Sequence, residues 1–169
     1  MKKITSAYAN KLLKQLSEEK DFWRNKEKHS SVYKASVGEQ PVVPDYDYMD
    51  VSEKIRTIDE KVCKIKHAVN LANVSAQINV NGEVMSADYI LVRMAQLGQR
   101  KGILDDMRKR QKKERESERY YRNDNPDYIY ANYDIEQVKQ DYEDVSDQIM
   151  AMQIALDKYN QTFLFEVDI

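Results

Sequence analysis

The sequence predicts a mainly α protein, an elongated helical bundle or coiled coil of about four helices, with a small β-hairpin and a short terminal strand. Three observations predict it. Among 169 residues there are only 4 Gly and 3 Pro, too few breakers for a loop-rich or all-β chain. Two segments carry apolar residues at unbroken heptad spacing, the pattern of a helix with one buried seam. A single Asn-Gly pair sits between two short alternating arms, which is a hairpin signal. The length suits one domain over residues 1–169, with a core of its own.

The first helix is expected at about 3–28, with Ile4, Tyr8, Leu12, Leu13 and Leu16 on one side and Phe22 and Trp23 farther along. Residues 29–48, which hold Gly38, Pro41 and Pro44, read as a loop. The second helix, about 47–73, carries Val51, Ile55, Ile58, Val62, Ile65, Val69 and Ala72, stepping 4, 3, 4, 3, 4, 3. Ile78 to Met85 alternates around Asn81-Gly82, a pair that tolerates the positive φ of a type I′ turn, so a hairpin spans 78–85. A third helix is expected at about 86–118. Ser86 is its N-cap, and it buries Ile90, Leu91, Met94, Leu97 and Leu104 before Met107 ends the apolar stripe. Its continuation, Arg108 to Arg119, contains no apolar residue and so has no face to bury against its own core.

Residues 128–133 and 162–168 read as strands, the second alternating strictly, and the four strands could join in one small sheet. Between them the last helix, about 134–160, repeats the heptad with Ile135, Val138, Tyr142, Val145, Ile149, Met152, Leu156 and Tyr159. Asp134 and Gln137 are placed as a capping box. Helices of about 25 residues reach roughly 37 Å, which suits a bundle or an elongated hairpin. Two clean seams and a protruding apolar-free helix amount to more helix surface than one chain satisfies, so a homo-oligomer is expected.

With 27 Lys+Arg against 29 Asp+Glu, the formal net charge is -2, and no global basic field exists to drive nucleic-acid binding. The distribution is uneven. Residues 1–99 carry 15 basic and 13 acidic groups, residues 100–122 carry 10 and 5, and residues 123–169 carry 2 and 11. A basic middle and an acidic tail attract each other, within one chain or between copies, before they attract anything foreign. Met1-Lys2-Lys3 resembles the start of a signal peptide, but no apolar run follows. No window reaches the ~18 apolar residues that span a bilayer, and the single cysteine, Cys63, agrees with a reducing compartment. A soluble, cytoplasmic protein without membrane contact is expected.

The order of three blocks resembles the septicolysin-like family of small uncharacterised bacterial proteins. Val69-Asn70-Leu71-Ala72-Asn73 closes a long helix, Asn81-Gly82-Glu83-Val84-Met85-Ser86-Ala87 forms a turn and a helix start, and Asn160-Gln161-Thr162 runs into the terminal strand. Where the family has a basic dipeptide in the third helix, this chain has only Arg93. The resemblance implies a helical fold with small β additions and no activity. It also makes Asn70 and Asn73, one turn apart, the polar residues expected to face something specific. Amides offer donors and acceptors together, although helix termination is the simpler role for an Asn there.

Asp59, Cys63 and His67 share one helical face at i, i+4 and i+8. The only other His is His29 and there is no second Cys, so neither a metal site nor a thiol–imidazole nucleophile is expected. Asp141, Asp144 and Asp147 read as a solvated acidic face. No Glu-x-x-His pair, phosphate-cradling glycine loop or Gly-x-Ser-x-Gly elbow occurs. From Arg115 to Tyr133 cations and aromatics interleave, with Arg119, Tyr120, Tyr121, Arg122, Tyr128, Tyr130 and Tyr133. Phenol rings stack on bases while guanidinium groups bind phosphate, and the same composition builds protein interfaces.

The expected function is therefore non-catalytic: an oligomeric binding or scaffolding protein with no cofactor, no metal and no catalytic residue. The alternative is a homo-oligomeric sponge for an anionic, nucleotide-like small molecule, held in an intersubunit pocket by Asn70, Asn73, Arg93, Arg100, Tyr121 and Arg122. Nucleic acid is not an expected partner.

Overall fold

The computed structural model describes residues 1–116 and 127–169, which form four helices and six short strands. In order these are β1 (Lys2–Thr5), α1 (Ser6–Ser30), α2 (Tyr48–Ser75), β2 (Ile78–Val80), β3 (Glu83–Met85), α3 (Ala87–Arg108), β4 (Lys113–Arg115), β5 (Tyr128–Tyr130), α4 (Ile135–Thr162) and β6 (Leu164–Val167). The fold is mainly helical with small antiparallel two-stranded sheets, as the sequence predicts. Packing gathers the chain into two compact units, Met1–Ala76 with Lys158–Ile169, and Gln77–Asp157.

In the first unit α1 and α2 run antiparallel: Lys20 pairs with Asp59, and Lys26 with Asp45 just before α2. Thr5 caps α1 by accepting from the Tyr8 N–H at 3.2 Å, and Asp47 caps α2 by accepting from the Asp50 N–H at 3.0 Å. The α2 heptad is used as expected. Val51, Ile58, Ile65 and Ala72 are buried, and Ile55, Val62 and Val69 are half-buried. Ile4, Ala9, Ile65 and Val167 form a core cluster, with Leu12, Leu16 and Phe165 packed against it. The two ends of the chain meet here, since β1 pairs antiparallel with β6, Lys2 opposite Val167 and Thr5 opposite Leu164.

In the second unit β2 and β3 form the hairpin around Asn81-Gly82. Both turn residues have positive φ, 52° and 94°, and Asn79 Oδ1 accepts from the Gly82 N–H at 2.9 Å. The core here includes Ile78, Val80, Ile90, Leu97, Leu104, Val138, Met152 and Leu156. Met107, where the apolar stripe stops, is also where α3 is closed off. Its carbonyl accepts from the Tyr133 hydroxyl at 2.9 Å and from the Arg110 N–H at 3.2 Å.

Four expectations need correction. The first helix starts at Ser6, not at about residue 3, because Ile4 is buried in the β1–β6 pair and Thr5 is the cap. The third helix ends at Arg108 and does not run to 118: the basic stretch has no apolar face, and Lys113–Arg115 pairs with Tyr128–Tyr130 instead. The strands do not share one sheet. They form three separate pairs, because β1 and β4, which the sequence reading placed in helices, supply the missing partners. The capping box at α4 is half made. Asp134 accepts from the Glu136 and Gln137 N–H groups, but the Gln137 side chain turns to Asp141 at 2.9 Å. Ser86 occupies the cap position of α3 without a side-chain bond.

Candidate functional site

The β4–β5 ribbon in the second unit gathers most of what the described part of the tyrosine-rich segment offers. Opposite residues of an antiparallel pair point to the same face, and alternate residues to opposite faces. Lys113 lies opposite Tyr130 and Arg115 opposite Tyr128, so these four share one face, while Glu114 and Ile129 share the other. All four are exposed. Lys113 Nζ lies 4.1 Å from the Tyr128 ring centre and 5.5 Å from that of Tyr130, within cation–π range of both. Both phenol rings thus have a cation of the same chain beside them while remaining exposed.

A second cation–aromatic contact joins α3 to α4. Arg108 lies 3.9 Å over the Tyr142 ring and Lys101 lies 5.2 Å away. Asp105 holds Arg108 at 2.7 Å and also binds Lys109. The hydrogen bonds from Lys109 and Arg108 pull the Asp105 carboxyl below its usual range, and the bond to Asp105 pushes the Arg108 guanidinium up.

Helix α4 has two contrasting faces. At 100° per residue, the seam of Val138, Val145, Ile149, Met152 and Leu156 looks inward and is buried or half-buried. On the opposite side Glu143, Asp147, Met150 and Ile154 form one fully exposed stripe, in which Met150 is 61% and Ile154 65% accessible. Helix α3 does the same: Val92 and Ile103 are exposed on the side away from the buried Ile90, Leu97 and Leu104.

In the first unit, Asn73 lies within α2, which continues to Ser75, and so does not end the helix as expected. Its Oδ1 accepts from the Tyr159 hydroxyl at 3.4 Å. Tyr159 is buried and stacks on Phe163, with ring centres 4.9 Å apart. Burial pushes the Tyr159 phenol up, opposed in part by the nearby Ser6 hydroxyl. Asn73 is thus half-buried and bonded to Tyr159, whereas Asn70 is exposed. Asp59 is engaged by Lys20 at 2.5 Å, and Cys63 and His67 are exposed. A groove of about 690 Å³ runs beside Glu27, Ile55, Asp59 and Cys63. Another, of about 560 Å³ and largely apolar, lies between the end of α2 and β6, along His67, Leu71, Phe163 and Phe165.

The six residues singled out for ligand binding do not form one described group. Asn70 and Asn73 belong to α2 in the first unit, Arg93 and Arg100 to α3 in the second. Tyr121 and Arg122, with Arg119 and Tyr120, lie outside the described residues. Among the described residues neither Arg93 nor Arg100 has an ion-pair partner, and no group of three or more His, Cys, Asp or Glu is placed to hold a metal. No described helix is long and apolar enough to cross a membrane. Lys113 falls within the helix expected at about 86–118, and Met150 and Ile154 lie off the heptad seam, so the seam pattern singles out none of the three. A second series, Glu143, Asp147, Met150, Ile154, stepping 4, 3, 4, was the signal that could have found the last two.

No family model matches the chain, and no curated protein does. Among solved structures it is similar to a functionally unknown conserved protein from Corynebacterium diphtheriae, with 11% sequence identity and a TM-score of 0.66 over 98% of this chain and 100% of that one. At that identity the likeness establishes a common fold and nothing about activity.

Proposed function

We propose that the chain is a non-catalytic, self-associating binding or scaffolding protein. The observation that supports this is the set of large apolar side chains on the outer faces of the second unit's helices: Val92 and Ile103 on α3, Met150 and Ile154 on α4. They sit on ordered helices that already bury a complete inner seam, so the fold of a single chain does not need them. Each is partly covered already, so covering the remainder would return roughly 1–2 kcal/mol, and Met150 and Ile154, four residues apart on α4, form an exposed apolar pair of the kind found at interaction surfaces. The heptad seams themselves are used within the chain, so the case for self-association rests on the opposite faces. A cytoplasmic location belongs to the same proposal, supported by the lone Cys63, as does a place beside the septicolysin-like proteins, which brings no activity with it.

Sedimentation equilibrium over micromolar concentrations tests this reading. The expected result is a mass that is a multiple of 19.9 kDa, and a single-chain mass throughout would overturn it. Thermal melting with a panel of nucleotides discriminates the sponge, since a ligand that binds only the folded state raises the midpoint with its saturation. The scaffold reading expects no shift.

A further inference from the structure

The charge pattern and the two exposed faces of the second unit fit one another. The ribbon face offers two cations and two phenol rings, Lys113, Arg115, Tyr128 and Tyr130. The outer stripe of α4 offers two carboxylates followed by two apolar side chains, Glu143, Asp147, Met150 and Ile154. Cations meet carboxylates and rings meet a thioether and an aliphatic chain, contacts that are each favourable at a protein interface.

We infer that the ribbon face of one copy docks on the outer α4 stripe of a second copy. This rests on the self-association reading and names the surfaces that carry it. In a two-fold arrangement each copy gives one ribbon and one stripe, so both contacts form at once. Eight large side chains per copy, at roughly 100 Å² apiece, bury about 800 Å², the area one partner contributes to a standard stable interface.

A single-stranded nucleic acid is the rival occupant of a basic, tyrosine-bearing ribbon, and two observations favour the second copy. Residues 123–169 carry 11 acidic against 2 basic groups, so the partner's tail supplies the complementary charge while repelling phosphate. Met150 and Ile154 are large exposed apolar side chains, and a phosphodiester backbone offers them no apolar contact.

The test uses the full chain in sedimentation equilibrium at about 0.1 M and 1 M salt, with helicity followed by circular dichroism. The pair K113E with R115E, and separately the pair E143K with D147K, should each weaken association at least about tenfold at low salt while leaving the helix signal unchanged. The chain carrying all four substitutions should associate again. If the wild type is oligomeric and either pair of reversals leaves its mass unchanged, or if the fourfold variant stays monomeric, this pairing of surfaces is wrong while self-association stands. A monomeric wild type overturns both. Retention of a single-stranded oligothymidine by the wild type, lost with K113E and R115E, would assign the ribbon to nucleic acid and overturn the inference.

Discussion

The two sides of α4 both carry large apolar residues, six on the inner seam and two on the outer stripe, and these have opposite fates. On the inner side Val138, Tyr142, Val145, Ile149, Met152 and Leu156 follow one another at heptad spacing and are buried or half-buried. On the outer side Met150 and Ile154 are preceded by Glu143 and Asp147 and remain exposed. Unbroken apolar succession makes core, because a charge anywhere in a buried seam must be desolvated at a cost of several kcal/mol. A stripe half acidic and half apolar cannot be core, yet it has the mixed character of surfaces that meet partners. Heptad spacing alone therefore does not say which side of a helix associates with another chain.

The largest effect expected is on the inner side. Ile149→Asp places a carboxylate in the half-buried seam and should cost about 3 kcal/mol or more, read as a loss of the urea midpoint. A midpoint unchanged within error would mean that the seam does not carry the second unit.

Tyr159→Phe sharpens the contrast in the first unit, where a polar atom is buried on purpose. Losing the hydroxyl that donates to Asn73 should cost about 1 kcal/mol at neutral pH. Because burial raises the phenol above its ordinary value, its contribution is fully present below about pH 10 and is lost as pH rises through the higher folded value. The wild type should lose more stability than the variant as pH rises above about 10, and parallel curves would contradict this account.

Asp105→Asn acts at the other end of the pH scale and is smaller. The carboxyl is held low by Lys109 and Arg108, so its contribution is present above the ordinary carboxylate value near 3.9 and lost as pH falls through the lower folded value. Acid-unfolding curves of wild type and variant should differ at neutral pH and converge as pH falls below about 3.9 and through the lowered folded value.

Much of this fold is legible in the sequence because heptad spacing, Asn-Gly turn chemistry and cap residues are local. The α2 and α4 seams, the 78–85 hairpin and the C-terminal strand lie where those signals put them. The departures share one physical cause. A strand of three or four residues exists only if its partner is present, and the partner of Lys2 is Val167 at the other end of the chain. No local pattern at Lys2–Thr5 or Lys113–Arg115 announces that pairing, so helix was read through both. Asn73 shows the same limit at the level of a site, since its hydrogen-bond partner Tyr159 is distant in sequence and no local pattern announces it. The ribbon face was half legible. Tyr128 and Tyr130 stood out by composition, while Lys113 acquires its place only through the register of the pair.

The most direct test of the division between the two sides of α4 is Ile154→Asp, a charge on the outer stripe where the fold of a single chain has nothing to lose. Surface changes of this kind alter folding stability by no more than about 0.5 kcal/mol. Sedimentation equilibrium on this variant, with its helix signal recorded alongside, should give a mass of 19.9 kDa and unchanged helicity where the wild type is oligomeric. An oligomer that survives the substitution, or a helix signal that collapses with it, would contradict the account.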